Sequence, residues 1–205
     1  MANRNTAGFG LQSVMRVGNT PAIQGQSAYE IDAAETNAIY NGEPVKIDIS
    51  LSTGGYIVTA AAGTACVGTL NGVFYNAATT LKPTWANYYA GAITPANSED
   101  VTAFVNDDPL QEFMIGTDAT LEATRALQKS KIGLTYATTA SAGSTSNGKS
   151  SLTLGISTGA TTAKQLRMVR VADDPENKTQ TAAYCSVIVK VNLHQYLVGS
   201  LATGI

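Results

Sequence analysis

The sequence predicts a mainly β protein: a single β-sandwich or barrel, jelly-roll-like, with one short helix and an extended N-terminal arm. Apolar and polar residues alternate over short segments, which is the period of a half-buried strand. Gly, Asn and Pro separate about eight such segments, as they do in sandwiches and barrels. At 205 residues the chain is long enough to bury a core without disulfides or metals.

Residues 1–27 are predicted to form the arm, and residues 28–205 the β-rich domain. Gly8, Gly18 and Pro21 leave only short apolar groups between them, and that spacing suits neither a long helix nor a core strand. Such an arm either lies across its own domain or reaches over a neighbouring molecule.

The first strands of the domain are predicted from alternation and turn residues. Residues 45–51 alternate regularly, Gly54 and Gly55 provide a turn, and residues 56–59 begin a return strand. The next apolar stretch, residues 66–75, contains an Asn-Gly dipeptide. That dipeptide suits a type I′ hairpin turn, or a bulge if one strand runs through it.

Residues 76–100 predict a long loop that carries Trp85, Tyr88 and Tyr89 among small polar residues. Long loops without their own secondary structure are often functional. The alternative is that these aromatic side chains fold back and cover an edge of the core.

Residues 101–115 predict two short strands around a turn at residues 106–109. The one segment with helical spacing is 120–128, which Thr117 or Asp118 is suited to cap and Gly133 follows. A loop or hairpin tip rich in Thr, Ser, Ala and Gly comes next.

Strands return in the last third of the chain, at residues 152–156, 166–171 and 183–193. In the last of these, apolar residues occupy both sets of alternating positions. That strand is therefore predicted to be covered on both faces.

Charged residues make up 14% of the chain, where about 25% is usual. The surface is therefore polar but largely uncharged, or it is covered by partners. The net charge of −2 argues against nucleic acid, because phosphate binding requires clustered Lys and Arg. No run approaches the ~20 apolar residues of a membrane span, and the first residues lack the apolar core of a secretion signal. We expect no nucleic-acid or membrane partner, and synthesis in the cytoplasm.

Catalysis requires proton-transferring or nucleophilic groups held side by side. The one histidine, His194, follows the last strand and is expected to pack and hydrogen-bond rather than to act as a base. Cys66 and Cys185 lie among small apolar residues, which predicts buried free thiols. The sequence has no catalytic or zinc motif, so no enzymatic activity, cofactor or metal is expected.

Asp107-Asp108-Pro109 and Asp173-Asp174-Pro175 repeat one short signature. Asp before Pro is a common turn device, because its carboxylate accepts hydrogen bonds from nearby backbone N–H groups. The alternatives are a calcium site or an acid–base pair. The absence of other clustered acids favours the turn.

The resemblance of the chain to a known family rests on four stretches: the Gly- and Asn-rich start to Gly18, Gly72-Val-Phe-Tyr75 followed by Trp85, Asp107-Asp-Pro-Leu-Gln-Glu-Phe113, and Val189-Lys-Val-Asn-Leu-His-Gln-Tyr196. In these stretches the chain resembles small head proteins of tailed bacteriophages, especially those of marine and cyanobacterial phages. Proteins of that kind are β-rich, often form trimers, and sit over the junctions between capsomers.

The resemblance implies a capsid decoration, or cement, protein on the surface of the virion, synthesised in the host cytoplasm. It implies a homotrimer that binds the major capsid protein and opposes the pressure of packaged DNA. We expect the arm and the aromatic loop to make the contacts, and deletion of residues 2–20 to abolish capsid binding without unfolding the protein. The expected protein-binding residues are Phe9, Leu11, Val14, Met15, Val17, Trp85, Tyr88 and Tyr89.

Two other functions are open at this point. One is a tail-tube, head-fibre or other minor component of the virion. The other is a carbohydrate-binding β-module, in which Trp85, Tyr88 and Tyr89 would form a stacking platform.

Overall fold

The computed structural model describes residues 5–18, 20–21, 25–50, 54–122, 124–139, 143–173, 177 and 183–197. These residues form fourteen strands, the short helix α1 (Arg125–Lys131) and two 3₁₀ turns (Ala96–Ser98 and Ile156–Thr158). The strands are β1 (Gln12–Arg16), β2 (Thr20–Pro21), β3 (Ser27–Ile31), β4 (Pro44–Ile47), β5 (Ile57–Thr59), β6 (Gly68–Asn76), β7 (Pro83–Ala86), β8 (Val101–Asn106), β9 (Gln111–Gly116), β10 (Thr135–Tyr136), β11 (Thr138–Thr139), β12 (Thr153–Leu154), β13 (Leu166–Val171) and β14 (Ser186–Val191). The predicted mainly β, sandwich-like class is confirmed.

One six-stranded sheet, here called the terminal sheet, combines strands from both ends of the described chain. Its order is β10-β13-β14-β9-β1-β2, and every neighbouring pair is antiparallel. Strands β11 and β12 form a separate two-stranded sheet.

The other large sheet, here called the central sheet, is built from the continuous stretch 27–106. Its order is β3-β8-β6-β4-β5, and β7 pairs with the far end of β6. The first and last strands of the stretch lie side by side, with Ser27 opposite Val105 and Ile31 opposite Val101. Because β3 and β5, the ends of this order, approach each other, the sheet curls around its core.

Each sheet has its own apolar cluster. Phe113, Tyr136 and Leu166 belong to the cluster of the terminal sheet, and Ile31 and Val101 to that of the central sheet. In β14, residues of both alternating sets are buried, so the prediction that this strand is covered on both faces is confirmed.

Part of the predicted N-terminal arm forms the strand β1. β1 pairs with β9, from Gln12 opposite Met114 to Arg16 opposite Gln111, and with β2 on its other side. Residues 12–16 are therefore an interior strand of the chain's own terminal sheet. Removal of residues 2–20 would take away β1 and its pairing with β9, so we now expect that deletion to destabilise the terminal sheet.

Several predicted turns have specific outcomes. The 54–55 turn joins β4 to β5, which pair as expected. The Asn71-Gly72 dipeptide is a bulge inside β6, since that strand runs through and its register shifts between Leu70 and Gly72. The turn at residues 107–110 connects β8 to β9, which belong to different sheets.

The helix begins later than predicted. Thr124 caps it, because its hydroxyl accepts a hydrogen bond from the Leu127 N–H at 3.3 Å. The two residues proposed as caps have other partners: Thr117 pairs through its backbone with Tyr184 and Cys185, and the Asp118 carboxylate accepts from the Ile156 N–H. The predicted glycine does follow the helix, with a φ of +85° at Gly133.

A short segment after β14, residues 193–197, joins the two sheets and is called the clasp below. The Cys66 N–H donates to the Leu193 carbonyl, and the Gln195 N–H donates to the Cys66 carbonyl. The Gln195 carboxamide also pairs with both backbone groups of Ile47, at 2.8 and 3.1 Å. The end of the terminal sheet is thereby held against the central sheet.

Candidate functional site

The outside of the central sheet carries an exposed aromatic surface made of Phe74, Trp85 and Phe104, called the outer aromatic face below. Phe74 and Trp85 lie opposite each other on β6 and β7, with 39% and 54% of their surface exposed. The ring of Trp85 contacts Phe104 on β8, with centroids 5.2 Å apart and planes tilted by 46°.

Strand alternation places these residues on one face. In β8, Val101, Ala103 and Val105 are buried inside the curl, so the intervening Phe104 faces outward. Gly72 on β6 lies opposite Phe104, and Phe74 on β6 lies opposite Thr102. Each of these two outward-facing pairs therefore contains one aromatic residue.

Gly72 allows the indole of Trp85 to lie on the strand. A Cβ atom at this position would stand 2.5 Å from Cζ2 of Trp85 and 3.0 Å from the backbone oxygen of Ala86. Contacts that short are not tolerated by carbon atoms, so any side chain here would displace the indole or the neighbouring strand.

The surroundings of this face carry little charge. The residues paired with it from neighbouring strands are the small Ala28 and Thr102. Glu30 on β3 is exposed beside Thr102, and Lys82 is exposed just before β7. An uncharged aromatic surface with polar residues at its border is typical of the centre of a protein–protein interface.

Tyr88 and Tyr89 do not join Trp85 in a platform. The ring of Tyr88 stacks on Tyr40, with centroids 5.5 Å apart and planes within 3°. Tyr89 is fully buried in the central core, and its hydroxyl donates to the Glu35 carbonyl at 2.7 Å. The stacking platform predicted for a carbohydrate module is therefore not assembled, and Tyr89 is corrected from a contact residue to a core residue.

The predicted contact residues of the first segment lie in or beside β1 of the terminal sheet, and none of them belongs to the outer aromatic face. Leu11 is 2% exposed and belongs to the terminal core, so it is also corrected to a core residue. Phe9, Val14 and Met15 are half-buried, and Val17 is exposed.

Phe74 and Phe104 were missed by sequence reasoning. The sequence of residues 101–106 contained a signal for Phe104. It occupies the same alternating set as the polar Thr102 and Asn106, which is the set expected to face outward. Phe74 gave no such signal, since the bulge at Gly72 shifts the phase of β6.

The one histidine connects backbone groups rather than facing a cleft. His194 is fully buried. Its Nδ1 accepts from the Tyr196 N–H at 3.2 Å, so Nε2 carries the proton and donates to the Asp107 carbonyl at 3.1 Å. Burial lowers the pKa of His194 below its ordinary value of 6.5. The ring is therefore neutral and packed, as predicted.

The two cysteine thiols are buried and protonated. Cys66 and Cys185 are free and buried, as predicted. Burial raises the pKa of the Cys66 thiol to about 12 and that of Cys185 to about 11. Neither thiol ionises near neutral pH, and the thiolate is the reactive form.

The first Asp-Asp-Pro turn is held by its own carboxylates. Asp108 Oδ1 accepts from the Leu110 N–H at 2.8 Å, and its Oδ2 lies 2.6 Å from Arg16 Nε. Asp107 accepts from the hydroxyl of Tyr29 at 2.8 Å. These contacts fit the turn function. In the second signature, residues 174 and 175 lie outside the described residues.

Fold and surface together define a mainly β protein that exposes an aromatic face on the outside of one curled sheet. No protein-family model, curated protein or solved structure matches the chain. In the described part of the chain, no helix is long and apolar enough to cross a membrane, and no group of three or more His, Cys, Asp or Glu side chains is arranged to hold a metal ion.

Proposed function

We propose that this chain is a virion structural protein that binds the outside of an assembled capsid lattice and stabilises it. The observation that carries the proposal is the exposed pair Phe74 and Trp85 on the outer aromatic face. The likeness of the sequence to phage head proteins and its low charge support the same function.

Aromatic anchors are the residues that contribute most to protein interfaces. Trp85 is already fixed by Phe104 and by the space above Gly72, so its rotamer entropy is largely lost before any partner binds. Because Ala28 and Thr102 beside it carry no charge, covering this face removes few ionic groups from water.

A lattice-binding protein gains its effect by mass action. Binding the assembled shell but not its dissociated subunits stabilises the shell. Repetition over symmetric sites multiplies a modest contact, most effectively if the protein is a homotrimer on a matching symmetry axis. The proposed partner is the major capsid protein, and the proposed location is the virion surface.

The first test measures copy number by quantitative mass spectrometry of purified virions. For a decoration protein we expect a number comparable with that of the coat subunits. A number limited to a few copies per particle would instead assign the chain to the tail tube, a head fibre or another minor component.

The second test measures sedimentation of the purified protein with capsids. The double variant Phe74→Ala/Trp85→Ala is expected to bind at least about tenfold more weakly, because it removes both anchors. Ile49→Ala is the matched control, since Ile49 is an apolar residue with 79% exposure outside this face. Equal binding by the double variant and the parent would contradict the proposal, provided that both melt at the same temperature.

A further inference from the structure

A polar cleft lies where the two sheets meet, between β1 of the terminal sheet and β6 and β8 of the central sheet. Its volume is about 260 Å³. Five carboxamides line it, and this site is called the amide cleft: Gln12, Gln26, Asn41, Asn71 and Asn106.

The chemistry of the lining is uniform. The hydroxyls of Ser13 and Thr69 accompany the carboxamides, and the lining also includes the buried Leu11 and Leu70. The described lining includes no carboxylate, and Lys149 is exposed at its border. Each carboxamide presents a donor and an acceptor, so the cleft suits a neutral ligand that both donates and accepts.

Part of this hydrogen-bonding capacity is unused within the described residues. Asn106 donates through Nδ2 to the Ser13 hydroxyl at 2.8 Å, but its Oδ1 is buried and accepts no hydrogen bond. An unpaired buried acceptor is unfavourable by about 1–3 kcal/mol. This oxygen has almost no accessible surface, so contacts to a ligand would come from the exposed Gln26 and the half-buried Gln12 carboxamides.

The walls of the cleft are fixed by hydrogen bonds, one between the first segment and the central stretch and two within the central stretch. The Leu11 N–H donates to the Gly42 carbonyl at 2.8 Å, and the Gly42 N–H donates to the Leu70 carbonyl at 2.8 Å. The Asn41 carboxamide donates to the Asn71 carbonyl at 2.6 Å. A site held in this way binds without a large ordering cost.

We propose that the amide cleft binds one neutral sugar ring. Sugar hydroxyls donate and accept hydrogen bonds, as the carboxamides do. Pockets for drug-sized ligands begin at about 300 Å³, so the observed volume suits a single ring. The site is separate from the outer aromatic face and independent of capsid binding.

The test is calorimetric titration of the full-length protein with glucose, galactose, mannose and N-acetylglucosamine. At least one of them is expected to bind with a Kd of about 1 mM or tighter. The variant Gln12→Ala/Gln26→Ala should bind it about tenfold more weakly, since two hydrogen bonds are lost. No described hydrogen bond within the protein uses either side-chain amide, so this variant is expected to fold, and an unchanged melting temperature checks that it does.

Trp85→Ala is the control and should bind the sugar as the parent does. Absence of binding by all four sugars would overturn the proposal. So would binding that is lost in Trp85→Ala but retained in the double glutamine variant, because the sugar would then stack on the outer aromatic face.

Discussion

Gly72 determines whether the outer aromatic face can form. The register of β6 shifts just before it, and the indole of Trp85 occupies the space where a side chain would stand. Here the absence of a Cβ atom, rather than an unusual φ, is what the fold requires.

We expect Gly72→Ala to destabilise the protein by about 1–3 kcal/mol, because the added methyl group overlaps Trp85 and the backbone of Ala86. Trp85 is the one tryptophan of the chain, so its emission reports directly on the displaced ring. Gly116→Ala is the control, since its nearest neighbour is a ring atom of Phe9 at 3.2 Å. Unchanged emission in Gly72→Ala would contradict this account of the face.

At the residue scale, the sequence could indicate which side chains alternate but not which of them stay exposed. Both Trp85 and Tyr89 were predicted to make contacts, but Trp85 is 54% exposed whereas Tyr89, four residues further on, is buried in the central core. The difference arises because the Tyr89 backbone pairs with Ile39, a long-range contact that leaves no local pattern.

At the element scale, β1 shows how tertiary pairing overrides a weak local signal. All five of its residues are half-buried, so the strand has no alternation by which it could be recognised. Its structure comes from β9 and β2 on its two sides. Because the segment has no alternation and glycines lie on either side of it, the sequence alone predicted an arm.

We expect Leu11→Ala to lower the free energy of unfolding by about 2–5 kcal/mol, as large-to-small changes in packed cores do. Val17→Ala, at an exposed position next to the same strand, should change it by less than about 0.5 kcal/mol. Urea denaturation followed by circular dichroism measures both. Similar values for the two variants would show that the first segment is not part of the core.

At the scale of the whole molecule, the sequence predicted most of the strands but not their arrangement in sheets. Strands β8 and β9 are separated by a four-residue turn, yet they enter different sheets. Period-two patterning specifies the face that a strand buries and carries no information on its neighbour. The amide cleft and the clasp arise from that arrangement, so they could not be predicted.

The clasp makes stability depend on pH through His194. Because the folded-state pKa is lowered by burial, the unfolded chain takes up a proton first as pH falls. The stability that comes from the neutral imidazole is fully present above the ordinary pKa of 6.5. It is lost as pH falls below that value, by up to about 1.4 kcal/mol per pH unit. Asp107 and Asp108 act in the opposite direction on the same ring, because their negative charge favours the imidazolium.

Urea denaturation of the parent and His194→Gln between about pH 5 and pH 8 measures this effect. The stability advantage of the parent should shrink as pH falls, because the variant has no imidazole to titrate. A constant difference across the range would show that His194 keeps its ordinary pKa in the folded protein.

The pairing of β3 with β8 has a consequence for the order of folding. Gln12 and Met114 become neighbours although about a hundred residues separate them, and each doubling of a loop raises its closure entropy by about 0.6 kcal/mol. Once Ser27 lies beside Val105, the effective loop between β1 and β9 shrinks to residues 17–26 and 106–110. We therefore expect residues 27–106 to pair before β1 meets β9, and all of these residues precede β13 and β14 in the chain.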